Sequence, residues 1–234
     1  MELSIDTSTR YAGVGLSSDG EVASELAWRS AQNHSVELAP AIRLVMERAG
    51  VRMEDLKAIF VAVGPGGFSA LRVGLSTAKA LAVALGVPLV GIGTLDIEAF
   101  PYLGLGLPAC AIIEAGRQRL YVGSYAGPEN HGRVPEHWVA TLDELAAEIE
   151  RPTLFCGEAA QAVAPRLREH LGARAVVAAV PPPTRRMGAM ALMGRRRLGE
   201  GRADPPETLQ PMYLRSAQIG AAGRRWPDSE PRRG

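Results

Sequence analysis

Val63-Gly64-Pro65-Gly66-Gly67-Phe68-Ser69-Ala70-Leu71-Arg72 is the stretch on which the fold turns. Upstream, residues 56–63 are apolar apart from Lys57, the pattern of a strand covered on both faces. Downstream, residues 69–85 carry only Arg72 and Lys79 as charges, with Ser76 between them, and are apolar round most of the circumference. A glycine turn between a strand and a helix suggests phosphate binding, but this one lacks the chemistry. It has no Gly-Lys-Ser/Thr ending and no third glycine of the dinucleotide motif. A structural turn is the better reading, with Ser69 able to cap the helix and free amides at its start still able to take an anion.

Working outward, residues 2–5 and 13–17 are strand-like, and Asp19-Gly20 is a two-residue hairpin signal before a third strand at 21–28. A helix is expected over 35–49, closed by Gly50, with its regular part starting at Pro40 because proline is awkward in a helix interior. Past the apolar helix come a strand at 88–92 and a short helix after Thr94. Three antiparallel strands followed by helix, strand, helix and strand is the order found in ribonuclease-H-like and actin-like ATPase cores. The pattern then repeats more weakly. Strands are expected at 110–113, 120–125 and 138–140, then helix 142–149, strand 153–156, helix 159–171, strand 175–180 and helix 184–198. The expectation is an α/β chain of two tandem subdomains, 1–100 and 101–220, with a disordered tail at 221–234.

Composition agrees with a globular protein of that size. The chain has 234 residues, 47% of them hydrophobic and 22% charged, which excludes disorder over most of its length. A formal net charge of +1 argues neither for nor against nucleic acid by itself. The Arg185-Arg186 and Arg195-Arg196-Arg197 clusters read as solvated surface. Cys110 and Cys156 sit inside apolar runs and read as small buried hydrophobes. Without a signal peptide or disulfide framework, the expected location is the cytoplasm. The uncharged stretch 80–95 is cut by Gly86, Pro88, Gly91 and Gly93, so it reads as helix then strand, not a membrane span. His34, His131, His137 and His170 show no metal-ligand spacing, and no serine occupies a nucleophile elbow.

Two features remain as candidate sites. Asp6-Thr7-Ser8-Thr9 follows the first strand, where actin-like ATPases place an acidic residue that handles metal-nucleotide and hydroxyls that hold phosphate. It reads either as a live nucleotide turn, as an inherited scaffold, or as a plain polar turn, and the inherited scaffold is favoured. The other is the apolar helix, where Ala70, Gly74, Ala78 and Ala82 recur every four residues. That small-residue ridge permits close approach of another helix, and a subunit interface is preferred over a central core position.

At these residues the sequence resembles the bacterial TsaB (YeaZ) family of tRNA threonylcarbamoyladenosine biosynthesis. The resemblance rests on Ile5-Asp6-Thr7-Ser8-Thr9, His34, 64–74, 78–82, Gly93-Thr94-Leu95 and Pro211-Met212-Tyr213-Leu214-Arg215. It is dense over 1–100 and sparse beyond. Where the family has Asp-Ala-Arg opening its second half, this chain has Glu114-Ala115-Gly116-Arg117. The resemblance implies a non-catalytic partner with a vestigial nucleotide turn at Asp6, Thr7, Ser8 and Thr9, and no cofactor of its own. It implies a catalytic sister subunit (TsaD family) of the same fold, with ATP and a metal in partner subunits. It also implies a small ATPase (TsaE family), a homodimer when alone, and contact with tRNA through the complex. Binding through the first two helices makes Ile42, Met46, Gly66, Phe68, Ala70, Arg72, Val73, Gly74, Thr77, Ala78, Leu81 and Ala82 the expected interface. The competing class is an ATP-binding kinase or ATPase of the same superfamily, for which Gly157-Glu158 is the one further candidate loop.

Overall fold

The computed structural model describes residues 1–31, 33–126 and 135–214. His131, Arg215 and the tail at 221–234 lie outside the described residues. The chain divides into two compact units, one formed by Met1–Ile97 with Arg185–Tyr213, the other including Glu98–Thr184. The first division lies between Ile97 and Glu98, against an expectation of 100 and 101. The last helix and the segment after it belong to the first unit, whereas 101–220 was expected to stay together. The physical reason is a glycine-lined sheet face that the last helix covers.

In the first unit, β1 (Glu2–Asp6), β2 (Tyr11–Ser18) and β3 (Glu21–Arg29) form an antiparallel meander. Parallel β4 (Ala58–Gly64) and β5 (Leu89–Gly93) complete the order β3-β2-β1-β4-β5. The period-2 alternation of side chains sorts this sheet into two different faces. Leu3, Ile5, Val14, Leu16, Ile59 and Val61 point into one buried cluster with Leu38, Ile42 and Val45 of α1 (His34–Ala49) and Leu75, Ala78 and Ala82 of α2 (Phe68–Leu85). Burying each such large aliphatic side chain stabilises by about 1.5–3 kcal/mol. Gly13 and Gly15 lie on the other face, and a Cβ at either would come within 2.9 Å or less of Met187, the first residue of α6 (Met187–Gly199). Further along α6, Gly194 lies against the Phe60 ring. Missing side chains on both sides let helix and sheet pack closely.

Two local expectations are corrected. Helix α1 starts at His34 and runs through Pro40. Pro40 lies on the exposed side with Val36, whose carbonyl the proline leaves unbonded, so solvent replaces the lost helical bond. Helix α2 starts at Phe68 with Gly67 as its N-cap, so Ser69 lies inside the first turn and makes no cap bond.

The short helix α3 (Thr94–Ala99) leads to the second unit. There β6 (Ala109–Gly116), β7 (Arg119–Tyr125) and β8 (Glu136–Ala140) are antiparallel, and β9 (Thr153–Cys156) and β10 (Ala175–Val177) run parallel to β6. The order β10-β9-β6-β7-β8 repeats the first sheet strand for strand. Helices α4 (Leu142–Glu148) and α5 (Ala160–Leu171) cover one face through Leu145, Ala146, Leu167 and Leu171. Thr141 caps α4 in a reciprocal box with Glu144. Cys110 and Cys156 are free and fully buried, and burial raises both thiols far above the ordinary range, so neither forms a thiolate at neutral pH.

Candidate functional site

The turn after β1 is built from committed polar groups. The Asp6 carboxylate is 1% exposed; Oδ1 accepts the Ser8 amide at 2.8 Å and the Ser8 hydroxyl at 2.6 Å. Oδ2 accepts Arg185 Nε at 2.5 Å. Arg185 Nη2 also donates to Thr9 Oγ1 at 2.9 Å and to the Tyr11 carbonyl at 3.0 Å. His34 Nε2 lies 2.9 Å from the Thr9 carbonyl. Arg185 is therefore a buried partner of the acidic turn, and the expectation of a solvated Arg185-Arg186 face holds only for Arg186.

The glycine loop closes over this turn. Gly67 donates its amide to the Ser8 carbonyl at 2.8 Å, and a Cβ on Gly66 would sit 2.0 Å from the same oxygen. Only glycine permits that approach. Thr7 Oγ1 donates to the Ala70 carbonyl at 2.6 Å and accepts the Gly74 amide at 3.1 Å. Asp6, Thr7, Ser8 and Thr9 are thus brought together as one cluster with the start of α2. Among the described residues, no group of three His, Cys, Asp or Glu side chains is placed to hold a metal ion.

This geometry corrects half of the expected interface. The close partner of the small-residue ridge is the chain's own turn and sheet: a Cβ on Gly74 would lie 2.4 Å from Thr7 Oγ1, Ala78 is 0% exposed and Ala82 is buried. Ile42 and Met46 are core residues beneath α1. These five are unavailable to a partner chain, and Gly66 is half-buried under the turn. Phe68 and Arg72 are exposed, and Ala70, Val73, Thr77 and Leu81 are partly so. To them the structure adds Ser76, Ala80, Val83 and Ala84, with Val36 and Leu44 exposed on α1.

Helix α2 is long and apolar enough to cross a membrane by length and composition, yet only 28% of it is buried. Its Leu71, Leu75, Ala78 and Ala82 stripe packs on the sheet, leaving an apolar outer face. At one end of that face Arg72 stacks over the Phe68 ring, 3.9 Å from its centroid. Tyr213 also stacks on Phe68, with ring centroids 5.5 Å apart, and its hydroxyl accepts from Arg72 Nε. At the other end a shallow groove is lined by Lys79, Ala80, Val83, Ala84, Pro206 and Glu207. The segment 204–213 that supplies Tyr213 and the groove wall is pinned to the sheet. Met212 donates to the Val63 carbonyl at 2.6 Å, and Asp204 accepts the Gly91 amide at 2.7 Å.

Two sheets of one topology, an acidic turn after the first strand and a glycine loop facing it define an α/β protein of the actin-like, ribonuclease-H-like class. The activator of 2-hydroxyisocaproyl-CoA dehydratase from Clostridium difficile with bound ADPNP shares the fold, with a TM-score of 0.52 at 10% identity over 91% of this chain and 98% of that one. YeaZ from Pseudomonas aeruginosa superposes better, with a TM-score of 0.70 at 22% identity over 91% and 99%. The family model "TsaD: tRNA N6-adenosine threonylcarbamoyltransferase" matches residues 26–151, more than half of the chain. The chain belongs to that family, and within it to the TsaB (YeaZ) group. The tRNA threonylcarbamoyladenosine biosynthesis protein TsaB of Bacillus subtilis is 29% identical over 97% of this chain and 98% of its own length. The tRNA N6-adenosine threonylcarbamoyltransferase of Anaeromyxobacter dehalogenans is 41% identical, but over 44% of this chain and 31% of its own. The chain thus spans about a third of the transferase and nearly the whole of the TsaB relative.

Proposed function

We propose that this chain acts in tRNA threonylcarbamoyladenosine biosynthesis as a non-catalytic partner, holding a catalytic sister subunit of the TsaD family and, with it, a small ATPase of the TsaE family. The observation that carries the reading is the outer face of α2, where Phe68, Arg72, Val73, Thr77, Leu81 and Val83 leave apolar surface uncovered on a helix already anchored by its inner stripe. Aromatic and arginine side chains are the usual anchors of an interface, and Phe68, Arg72 and Tyr213 form such a cluster at one end of this face. The same face serves a second copy when the sister is absent. No cofactor is assigned to this subunit. ATP and a metal belong to the partner subunits, and tRNA is met through the assembled complex in the cytoplasm. The length relationship supports the reading, since the chain matches a TsaB relative end to end and a transferase only in part.

The test is reconstitution. The purified chain alone is expected to hydrolyse no ATP and to transfer no threonylcarbamoyl. Added to the sister subunit and small ATPase, it is expected to co-elute with the sister and support threonylcarbamoyladenosine formation on tRNA. Robust turnover by the chain alone would replace this reading with the kinase or ATPase alternative.

A further inference from the structure

The fold class implies a metal-nucleotide at the turn after β1, and the residues present do not fit one. Both oxygens of Asp6 are engaged internally, Oδ1 by the Ser8 amide and hydroxyl and Oδ2 by Arg185. The Thr7 hydroxyl is taken by the Ala70 carbonyl and the Gly74 amide, and Thr9 Oγ1 accepts from Arg185 and from the Tyr11 amide at 3.1 Å. The Gly67 amide, which could have met a phosphate, donates to the Ser8 carbonyl instead, and Gly66 leaves no room between loop and turn. Carboxylate and guanidinium are 1% and 3% exposed.

We propose that Arg185 is a built-in countercation, standing where the fold class would place a metal-nucleotide, and that it converts the turn into a permanent clasp between β1 and the approach to α6. A buried carboxylate needs a positive partner and hydrogen bonds to every open lone pair. A divalent cation meets that need reversibly. A guanidinium meets it for as long as the chain is folded, because arginine stays charged at every accessible pH and its planar fork bonds several acceptors at once. Arg185 uses the fork in this way, reaching Asp6, Thr9 and the Tyr11 carbonyl from one side chain. Two residues later Met187 enters the glycine-lined face of β2, so the ion pair fixes the point at which the returning chain meets the sheet. The inference concerns the folded chain itself and does not rest on its role in tRNA modification.

The experiment compares the full chain with Arg185→Ala, Asp6→Asn and the charge-neutral pair Asp6→Asn/Arg185→Met. In titration calorimetry the unmodified protein is expected to give no heat with millimolar Mg²⁺ and ATP. Binding that Asp6→Asn abolishes would overturn the proposal. In thermal melts Arg185→Ala is expected to lower the folding equilibrium constant roughly a hundredfold or more, since it leaves an uncompensated buried charge. Millimolar ethylguanidinium or Mg²⁺ is expected to recover part of that loss in Arg185→Ala and none in the double variant. No recovery with either cation would refute the countercation role. Should Arg185→Ala fail to fold, the neutral pair decides: it is expected to melt cooperatively, and a double variant as poorly folded as Arg185→Ala would overturn the proposal.

Discussion

The two units share a strand order and differ in what hangs on it. Between β1 and β2 the first unit buries Asp6 under a glycine loop, with Arg185 beside it. Between β6 and β7 the second has an open hairpin whose Arg117 and Gln118 adopt positive φ, with Glu114 exposed. The loop before α2 presses Gly66 onto the Ser8 carbonyl, and the loop before α5 presses Gly157 onto the Ile112 carbonyl. The close crossing is therefore common to both copies, and the acidic turn belongs to one. The helices differ most: α2 has 18 residues and an apolar outer face, whereas α5 has 12 and turns Arg166, Arg168, Glu169 and His170 outward. Repeated topology reflects what a sheet needs to be covered, while the differences leave the first copy with an uncovered apolar helix face.

That contrast can be broken most severely on the inner stripes. Ala78→Glu puts an unpaired charge into the first core and is expected to cost about 3–5 kcal/mol, enough to lose the cooperative melt by circular dichroism. Ala162→Glu on the exposed side of α5 is expected to stay within about 0.5 kcal/mol of the parent. Equal effects would mean that α2 does not pack as described. Next come the paired crossings. Gly66→Ala and Gly157→Ala are each expected to cost about 1–3 kcal/mol through forced backbone displacement, read from urea midpoints. If only one does so, the two loops are not equivalent.

On the outer face, Val83→Glu is expected to leave stability within about 0.5 kcal/mol while weakening association with the sister subunit at least tenfold by size-exclusion and titration measurements. Undiminished binding would remove that face from the interface. The smallest effect concerns Glu25 on the edge strand β3. Burial raises its carboxyl above the usual range, with Arg186 opposing. A raised folded-state value means the folded chain holds this proton more tightly than the unfolded one. Its contribution to stability is therefore lost as pH climbs from about 4.5 through the raised value. Glu25→Gln is expected to gain a few tenths of a kcal/mol at pH 7, half exposure and screening keeping it small, and to flatten the pH dependence of the melting temperature just above pH 4.5.

Much of the fold was legible because it is written in local patterns. The hairpin at Asp19-Gly20, the apolar run before Gly64 and the strand at Thr153–Cys156 each follow from a few neighbouring residues. The site was legible in its parts and not in its assembly. Nothing in the spacing of Arg185 distinguishes it from Arg186, yet one is buried against Asp6 and the other faces solvent. Their difference is set by a partner 179 positions away in the chain. The small-residue ridge was read correctly as a place of close approach and wrongly as to what approaches. Periodicity specifies which helix face is narrow, and only the folded chain shows that Thr7 meets it at Gly74 and the sheet core at Ala78 and Ala82. The outer face had a signal that could have been used: residues 72, 76, 80 and 83 recur on the side opposite Leu71, Leu75, Ala78 and Ala82.

The return of α6 to the first sheet also sets an order of events at the ribosome. Until Met187 and the residues after it have been synthesised, the Gly13 and Gly15 face of β2 has no cover and Asp6 has no cation, although β1 through β5 left the exit tunnel long before. The described strands of the second unit all lie between Glu98 and Thr184 and are synthesised before α6. The part of the chain made earliest is thus finished last, and a nascent chain stalled before Arg185 presents an open sheet to the chaperones that patrol the tunnel mouth.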